Sequence, residues 1–594
     1  MNRSTAIRAR NRMTILAGFL VFISIFLLSF DTAIIQENNQ NDPRFGVAEA
    51  FWSPEEAAEL GVGWERILFY WREIQPQGPD DWNTLHVREE WLDDAERNDR
   101  EVVGLLKNTA PWASEDGTEA GVPVGLDLPI DDPDNYWANY ARRIAQYYGP
   151  LNVHNWIIWN EPEITSDTYG FEFAGSVEEY YRLLKVAYQV IKEEDPQATI
   201  HLAGVTWWHD QTFLRRLFEV ALADPEAGEN DWFFDVISLH IYFRPETVYS
   251  IIQEVQALQD AYGIDKPIWL NETNAPPNRD PLWPVDRPAF TVDLDQQAWF
   301  IAQATALAFS AGTERIAIYK LADVMLPEGA ESFGLLRQDS SRRPAYAAYA
   351  TAIEYLDNFS QVTLKQHPHY YVATFSSPGF ITRVAWARTV QEVTLRFPAL
   401  SDEATLVDVT GNSATITGED GEYLIALQPA VCHDDCLIGG APVYIVEEYE
   451  VDDILQIETA IAFSGVEPTL VALSTATRFL TSTPVPTFTS IATTSSTPTT
   501  SPLPSPSPTE TQEPQINVTI EASDNDQDED PLAIPSSAPA NTPSESPPSQ
   551  TDAINTAEED IPGTKLDDYL GIIFLLVAML LLAFLVIFIN RRRT

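Results

Sequence analysis

The chain has 594 residues, and its 36 Lys and Arg against 88 Asp and Glu give a formal net charge of −52. This charge repels phosphate backbones, which argues against nucleic acid as a partner. Hydrophobic residues make up 45% of the chain, enough for a large core, whereas only 2 Cys exclude a disulfide scaffold. The 8 His are too scattered to predict a histidine-built metal centre, and we expect neither a metal nor a cofactor.

The N-terminal segment, residues 1–35, carries four arginines before an apolar run over residues 13–30. This order predicts a secretory signal peptide or an uncleaved signal anchor. Either reading implies export of the residues that follow.

Residues 42–356 alternate short β-like runs with amphipathic helical stretches, such as 176–192 and 295–310, which is typical of repeated βα units. Eight such units in about 300 residues predict an α/β fold, a (β/α)8 TIM barrel. An open doubly wound sheet is the alternative, but the GxGxxG turn expected after its first strand is absent. The eight candidate strands are 44–48, 64–69, 102–106, 155–159, 199–203, 236–241, 267–271 and 315–319.

After a helical pattern over 346–356, residues 360–450 change to short alternating runs that predict a small antiparallel β-sandwich. The runs cover 370–375, 381–386, 393–397, 405–409 and 443–447. Cys432 and Cys436 lie in this part of the chain. In an exported protein they predict a local disulfide that closes a loop, with a metal clip as the alternative.

The C-terminal part begins with Ser, Thr and Pro over residues 481–565, which predicts a disordered stalk. Residues 569–589 are an unbroken apolar stretch followed by three arginines, which predicts a transmembrane helix. The positive-inside rule then predicts a cytoplasmic tail over 590–594. We therefore expect a cell-membrane protein whose barrel is extracellular and whose C terminus is cytoplasmic.

Two glutamates follow candidate strands of the barrel. Glu161 follows the fourth strand within Asn-Glu-Pro, and Glu272 follows the seventh within Asn-Glu-Thr. The C-terminal ends of barrel strands meet at one mouth, so the two carboxylates are expected to face each other across a substrate. Alone, each Glu could instead be a helix cap or a surface charge. A pair suits glycosidic bond cleavage, which needs one protonated acid and one ionised carboxylate.

The barrel with these two motifs resembles glycoside hydrolase clan A, a superfamily of retaining glycosidases, over residues 42–349. The resemblance implies that Glu161 is the general acid/base and Glu272 the nucleophile. It also implies that Asn160 hydrogen-bonds the 2-hydroxyl of the substrate. The segments 69–76 and 108–112 are most similar to the xylosidase-like and endoglucanase-like branches of the clan.

Three further residues are similar to clan A positions around the nucleophile. Arg66 on the second strand corresponds to the arginine that keeps the nucleophile ionised, which a nearby guanidinium does by lowering a carboxyl pKa. His240 and Tyr242 are two residues apart on the sixth strand, so they point to the same side. The alternatives are a structural salt bridge for Arg66 and satisfied core polarity for the other two. The clan often carries a Trp at the end of strand eight, where this chain has Tyr319.

Tryptophans at strand ends are candidate sugar platforms, because sugar rings stack their C–H faces on indole. They follow the third, fifth and seventh candidate strands and are Trp112, Trp207, Trp208 and Trp283. Each could equally belong to the core of the barrel.

These observations predict a membrane-anchored, extracellular, retaining glycoside hydrolase that cleaves O-glycosidic bonds of a poly- or oligosaccharide by double displacement. Its partners are then a carbohydrate substrate and, through the C-terminal helix, the membrane. One alternative is a non-catalytic surface protein that binds glycans or mediates adhesion on a barrel scaffold. Another is a cell-surface transglycosylase, which would use the same catalytic residues.

Overall fold

The computed structural model describes residues 41–168, 170–286, 288, 290–327, 329–433, 436–449 and 461–464, which all belong to one compact unit of the chain. The predicted signal segment, stalk, transmembrane helix and cytoplasmic tail lie outside the described residues. Within the described ranges, no helix is both long enough and apolar enough to span a membrane.

Eight parallel strands form the predicted TIM barrel, and each begins and ends within three residues of its predicted bounds. Neighbouring strands pair along the chain from β1 to β5 and from β6 to β8, and β8 pairs with β1. Between β5 and β6 the barrel closes through two isolated parallel bridges, His201 to Val236 and Val205 to Leu239. The strands are β1 (Phe45–Ala48), β2 (Trp64–Tyr70), β3 (Glu101–Lys107), β4 (Asn155–Asn160), β5 (Thr199–Gly204), β6 (Ile237–Tyr242), β7 (Ile268–Asn274) and β8 (Arg315–Ile318).

Helices surround the barrel, and both helical patterns predicted inside it are confirmed as α5 and α8. Each of these two begins with a capping box, formed by Ser176 with Glu179 and by Asp293 with Gln296. The helices of the described residues are α1 (Pro54–Leu60), α2 (Trp71–Ile74), α3 (Glu89–Arg97), α4 (Tyr136–Tyr148), α5 (Val177–Glu194), α6 (Phe213–Ala223), α7 (Pro245–Tyr262), α8 (Leu294–Ser310) and α9 (Pro344–Leu356).

Two tryptophans pack in the lower part of the barrel interior, together with smaller apolar side chains from other strands. The rings of Trp64 on β2 and Trp269 on β7 lie 5.3 Å apart. Gly46 on β1 leaves room for Trp64, because a Cβ at that position would overlap the indole. Side chains alternate along a strand, so Arg66 points to the same side as Trp64, one layer closer to the mouth. The packed lower layer therefore closes the barrel beneath the cavity described below.

The predicted β-sandwich follows the barrel. A six-stranded sheet in the order β14-β13-β16-β11-β10-β9 faces a three-stranded sheet in the order β15-β12-β17. Four of these strands, β9, β14, β15 and β17, were not predicted, and the sandwich continues past residue 450 because β17 pairs with β12. The strands are β9 (Gln361–Gln366), β10 (Tyr370–Ser377), β11 (Phe380–Ala387), β12 (Val393–Pro398), β13 (Glu403–Asp408), β14 (Ser413–Thr417), β15 (Glu422–Leu427), β16 (Val443–Glu448) and β17 (Ala462–Phe463).

A disulfide loop of the sandwich contacts the barrel. Cys432 and Cys436 form the predicted disulfide, so the metal clip considered as its alternative is wrong. His433 in this loop has its Nε2 2.7 Å from Oδ2 of Asp293, the residue that caps α8. Further along, the side chain of Gln303 on α8 donates a hydrogen bond of 3.0 Å to the carbonyl of Gly440. The sandwich is thus docked on the helix that follows β7.

Candidate active site

A cavity of about 870 Å³ opens at the C-terminal ends of the barrel strands, where TIM barrels carry their catalytic groups. Its wall contains five of the predicted site residues, namely Arg66, Asn160, Glu161, Tyr242 and Glu272. Another cavity, of about 690 Å³, lies at the opposite end of the barrel and contains none of the predicted site residues. We therefore place the candidate site in the first cavity.

Glu161 immediately follows β4, at a point where the strand alternation is interrupted. Ile157 packs inside the barrel, and regular alternation would also turn Trp159 inward. Trp159 instead has a left-handed φ of 74° and packs outward, with its ring 6.3 Å from that of Trp137. This interruption lets the consecutive residues Asn160 and Glu161 both line the cavity. Glu161 itself has a φ of 43°, a strained conformation of the kind that clusters at functional sites.

Glu272 lies inside β7, because the strand continues to Asn274 rather than ending at residue 271 as predicted. Its Oε1 forms an ion pair with Arg66, and its Oε2 accepts a hydrogen bond from the hydroxyl of Tyr242. Burial by itself raises the pKa of Glu272, but the charges of Arg66 and His240 and the hydrogen bond from Tyr242 outweigh it. The pKa of Glu272 therefore lies below its ordinary value, and the group is an ionised carboxylate at neutral pH.

His240 connects the two glutamates. Its Nδ1 lies 2.7 Å from Oε1 of Glu161 and 3.5 Å from Oε2 of Glu272. Because a carboxylate oxygen accepts hydrogen bonds, Nδ1 is the donor toward these two groups. The ring is fully buried, and Gly204 on β5 makes room for it, because a Cβ on Gly204 would overlap the imidazole. Both members of the predicted strand-six pair thus contact a predicted catalytic carboxylate.

The two carboxylates share one space within the cavity. One oxygen of Glu161, one oxygen of Glu272 and a ring nitrogen of His240 all lie within 4.8 Å of one another. Two carboxylates and an imidazole could also serve as metal ligands. The Arg66 guanidinium on Glu272 opposes a cation at this place, because it already supplies the positive charge that the carboxylate attracts. The arrangement favours acid/base and nucleophilic chemistry.

The predicted tryptophan platforms lie elsewhere. Trp112, Trp207, Trp208 and Trp283 are absent from the described residues that line the cavity. Trp207 is buried, whereas 39% of Trp208 is exposed. Their contact with a substrate stays a prediction.

Besides the predicted Tyr242, two tyrosines that the sequence analysis did not assign to a site line the cavity, Tyr70 and Tyr319. Tyr70 is four residues beyond Arg66 on β2. Every second residue of a strand points to the same side, so this alternation, applied from Arg66, would have identified Tyr70. Tyr319 occupies the position where the resemblance implied a Trp. Its ring lies 6.3 Å from that of Tyr242 and 5.8 Å from the guanidinium carbon of Arg66.

Glu163 is a second buried carboxyl beside the site that the sequence analysis missed. Its Oε1 accepts hydrogen bonds from the backbone N–H of Thr206 at 2.5 Å and from its hydroxyl at 2.8 Å. Its Oε2 has no hydrogen-bond partner among the described residues. Burial raises the pKa of Glu163 to about 7, and the charge of Glu161 adds to that increase. In sequence, Glu163 looks like any loop carboxylate after a Pro, so no signal marked it.

No family model matches this chain, and no curated protein matches it. Among solved structures, it is similar to a family 39 glycoside hydrolase from the gut symbiont Bacteroides cellulosilyticus, with a TM-score of 0.53 and 17% identity over 69% of this chain and 81% of that chain. It is also similar to a glucosidase from Croceicoccus marinus, with a TM-score of 0.48 and 12% identity over 69% of this chain and 96% of that chain. At these identities the likeness concerns the fold.

Proposed function

We propose that this chain, whose barrel has the fold of the clan A glycosidases, is a retaining glycoside hydrolase. The observation that carries the proposal is the approach of Glu161 and Glu272, with one oxygen of each within 4.8 Å in a shared cavity. Retaining glycosidases hold their two carboxyl groups about 5 to 5.5 Å apart, whereas inverting ones need about 6.5 to 9.5 Å to admit a water. The spacing supports the retaining alternative.

In the first step, the carboxylate of Glu272 attacks the anomeric carbon while Glu161 donates its proton to the leaving glycosidic oxygen. The bond between sugar and leaving group breaks as an ester bond to Glu272 forms. Arg66 and Tyr242 each hold one oxygen of Glu272, which keeps the group charged and oriented for attack. Asn160 lines the same cavity, and we assign it to the 2-hydroxyl of the sugar.

In the second step, Glu161 acts as the base. It takes a proton from a water molecule, the water attacks the anomeric carbon, and the ester bond to Glu272 breaks. The Nδ1–H of His240 points at Glu161 from 2.7 Å and stabilises the carboxylate form that this step requires. His240 is therefore a positioning residue for the acid/base in our proposal.

We further propose a neutral glycan as the substrate. Each cation among the described residues of the cavity wall already has a carboxylate partner, so a uronate or a sulfate would find no free positive charge there. A net charge of −52 also repels polyanions. The pairs are Arg66 with Glu272, Lys107 with Glu172 at 2.5 Å and Lys320 with Glu49 at 3.1 Å.

Export and membrane anchoring complete the proposal. They rest on the apolar runs over 13–30 and 569–589 and on the arginines beside each run. The enzyme would then act outside the cell at the end of a Ser/Thr/Pro-rich stalk. Protease treatment of intact cells tests this, because an extracellular barrel is released and an internal one is protected.

The test of the chemistry is to trap the glycosyl-enzyme with a panel of 2-deoxy-2-fluoro glycosides that carry activated leaving groups. Mass spectrometry of the digested protein should find the added sugar on the peptide that contains Glu272. The Glu272→Gln variant is the control and should stay unlabelled. A label on another residue, or turnover that inverts the anomeric configuration, would contradict the proposal.

A further inference from the structure

A groove of about 370 Å³ adjoins the catalytic cavity at the barrel mouth. We call it the aromatic groove and define it by Glu49, Phe51, Trp52, Tyr70, Arg88 and Trp91. It is lined mainly by apolar side chains with a few polar groups, which is the usual make-up of a ligand site. No part of the proposed mechanism uses it.

The aromatic groove is continuous with the catalytic cavity. Leu68 and Tyr70 on β2 line both of them. Residues Arg66, Leu68 and Tyr70 point to one side of the strand, and at about 3.3 Å per residue Tyr70 lies about 13 Å along the strand from Arg66. Arg66 holds Glu272. A ligand longer than one sugar unit that extends along β2 from the cleaved bond would therefore enter the groove.

The aromatic rings of the groove have the geometry of a stacking platform. Phe51 covers one face of Trp91, with ring centroids 4.1 Å apart and an interplanar angle of 21°. Trp52 lies 6.1 Å from Trp91 at 51° and is 43% exposed, which is unusual for so large an apolar side chain. Exposed indole faces of this kind accept the C–H faces of sugar rings.

Polar groups at the edge of the groove match sugar hydroxyls. The exposed guanidinium of Arg88 lies 5.6 Å from the Trp91 ring, so its N–H groups are available beside the platform. Glu49 lies at the border between the groove and the catalytic cavity, where its carboxylate contacts Lys320 at 3.1 Å. A neutral sugar offers donors to the carboxylate and acceptors to the guanidinium.

We propose that the aromatic groove binds sugar units that lie beyond the bond cleaved between Glu161 and Glu272, and that Trp52 is their main platform. The substrate is then a neutral oligo- or polysaccharide rather than a small monoglycoside. This inference rests on the proposed glycosidase function and adds a remote subsite to it.

Two variants of the full chain test the groove by activity. Trp52→Ala removes the platform, and Phe380→Ala is the matched control, because Phe380 is an aromatic side chain of the sandwich that is 45% exposed. The probes are an aryl monoglycoside and neutral oligosaccharides of two to six units of the sugar found by trapping. We expect the loss of kcat/KM in Trp52→Ala to grow with chain length, to about tenfold for the longest probe relative to the aryl glycoside. Phe380→Ala should behave as the native protein at every length.

Calorimetric binding to Glu161→Gln separates the two proposals, with xylo- and cello-oligosaccharides of two to six units as probes. An affinity that rises with the number of sugar units, and that loses this rise when Trp52→Ala is added, supports the groove as a binding site. If such binding is found but the native protein cleaves no glycoside, the glycosidase proposal fails and the proposal of a sugar-binding groove stands. Three outcomes would overturn the proposal that the groove binds sugar units. They are a Trp52→Ala effect that is equal at all chain lengths, no effect of Trp52→Ala at all, and no binding of any probe to Glu161→Gln.

Discussion

Tyr242 donates its phenolic hydrogen to Oε2 of Glu272, whereas Arg66 forms its ion pair with Oε1 of the same carboxylate. Each oxygen of Glu272 is thus held by a different donor, from β6 and from β2. Two donors fix the rotation of the carboxylate as well as its charge. This relationship carries the first prediction.

Replacing Tyr242 by Phe should move the acidic limb of the kcat/KM profile to higher pH. The pKa of Glu272 is lowered below its ordinary value, and Tyr242 contributes to that lowering, so its loss raises the pKa and the carboxylate protonates sooner as pH falls. One hydrogen bond to a charged group corresponds to a shift of about one pH unit. Tyr319→Phe is the control, because Tyr319 belongs to the same described wall but makes no hydrogen bond to Glu272. Equal profiles for native protein and Tyr242→Phe would refute the assignment.

Glu272→Gln should lower kcat on aryl glycosides by at least about 10⁴-fold, as expected when a covalent nucleophile is removed. Circular dichroism should stay unchanged, because Gln has nearly the same shape. Glu331→Gln, which alters another carboxylate of the cavity wall, should lower kcat on the same aryl glycosides by less than about tenfold. Comparable losses in the two variants would show that Glu272 has no special role.

Glu161→Ala should lose about 10² to 10⁴-fold in kcat on substrates with poor leaving groups. Activated leaving groups depart without a proton, so they should be affected much less in the first step. Added azide should restore turnover and yield the glycosyl azide of retained configuration, because a small anion can enter the space that Glu161 vacates and needs no base. Failure of rescue together with an intact fold would reject the acid/base role.

Glu163→Gln should become more stable relative to the native protein as pH rises. The pKa of Glu163 is raised by burial from its ordinary 4.5 to about 7, so the folded state binds this proton more tightly than the unfolded state. Between these values the native protein loses stability as pH increases, whereas Gln has no proton to lose. Thermal unfolding should show a Tm difference that grows to several degrees from about pH 4.5 to about pH 7 and then levels off. The exposed Glu178→Gln serves as the control and should show no trend.

Gly204→Ala should lower kcat/KM by about 10²-fold, because the added methyl displaces the His240 ring, which positions Glu161 in our proposal. Gly228→Ala is the matched control, since an added Cβ at Gly228 meets nothing within 4 Å. If Gly204→Ala retains full activity, the position of His240 is irrelevant to the reaction. Melting temperatures of both variants separate loss of activity from loss of fold.

The barrel could be predicted because its strands are short buried runs that alternate with amphipathic helices. β4 is one such run, and all six of its residues are buried. Two of the sandwich strands that were missed, β9 and β14, lack this signal. β14 has no fully buried residue and β9 has none either, so their side chains show no apolar alternation. Edge strands of this kind are defined by backbone pairing, which leaves little trace in residue type.

The sequence predicted the site residues that lie at strand ends or at alternate positions along a strand. It did not predict the features that depend on tertiary packing. Glu161 and Glu272 follow from their places on the fourth and seventh strands. The extension of β7 over residues 272–274 was missed because Glu272, Thr273 and Asn274 are polar, although the structure buries all of them. The outward direction of Trp159 could not be predicted from the sequence. It results from a left-handed backbone conformation, which the alternation of residues along a strand does not reveal.

The closure of the barrel between β5 and β6 has a consequence for the proposed activity. Between β5 and β6 the strands pair through isolated bridges, and one of the backbone hydrogen bonds across this seam runs from the N–H of His240 to the carbonyl of Val205. This seam carries Gly204 on one side and His240 on the other. A displacement of β5 from β6 would therefore move the His240 ring away from Glu161, so any local opening of this seam should abolish the proposed activity.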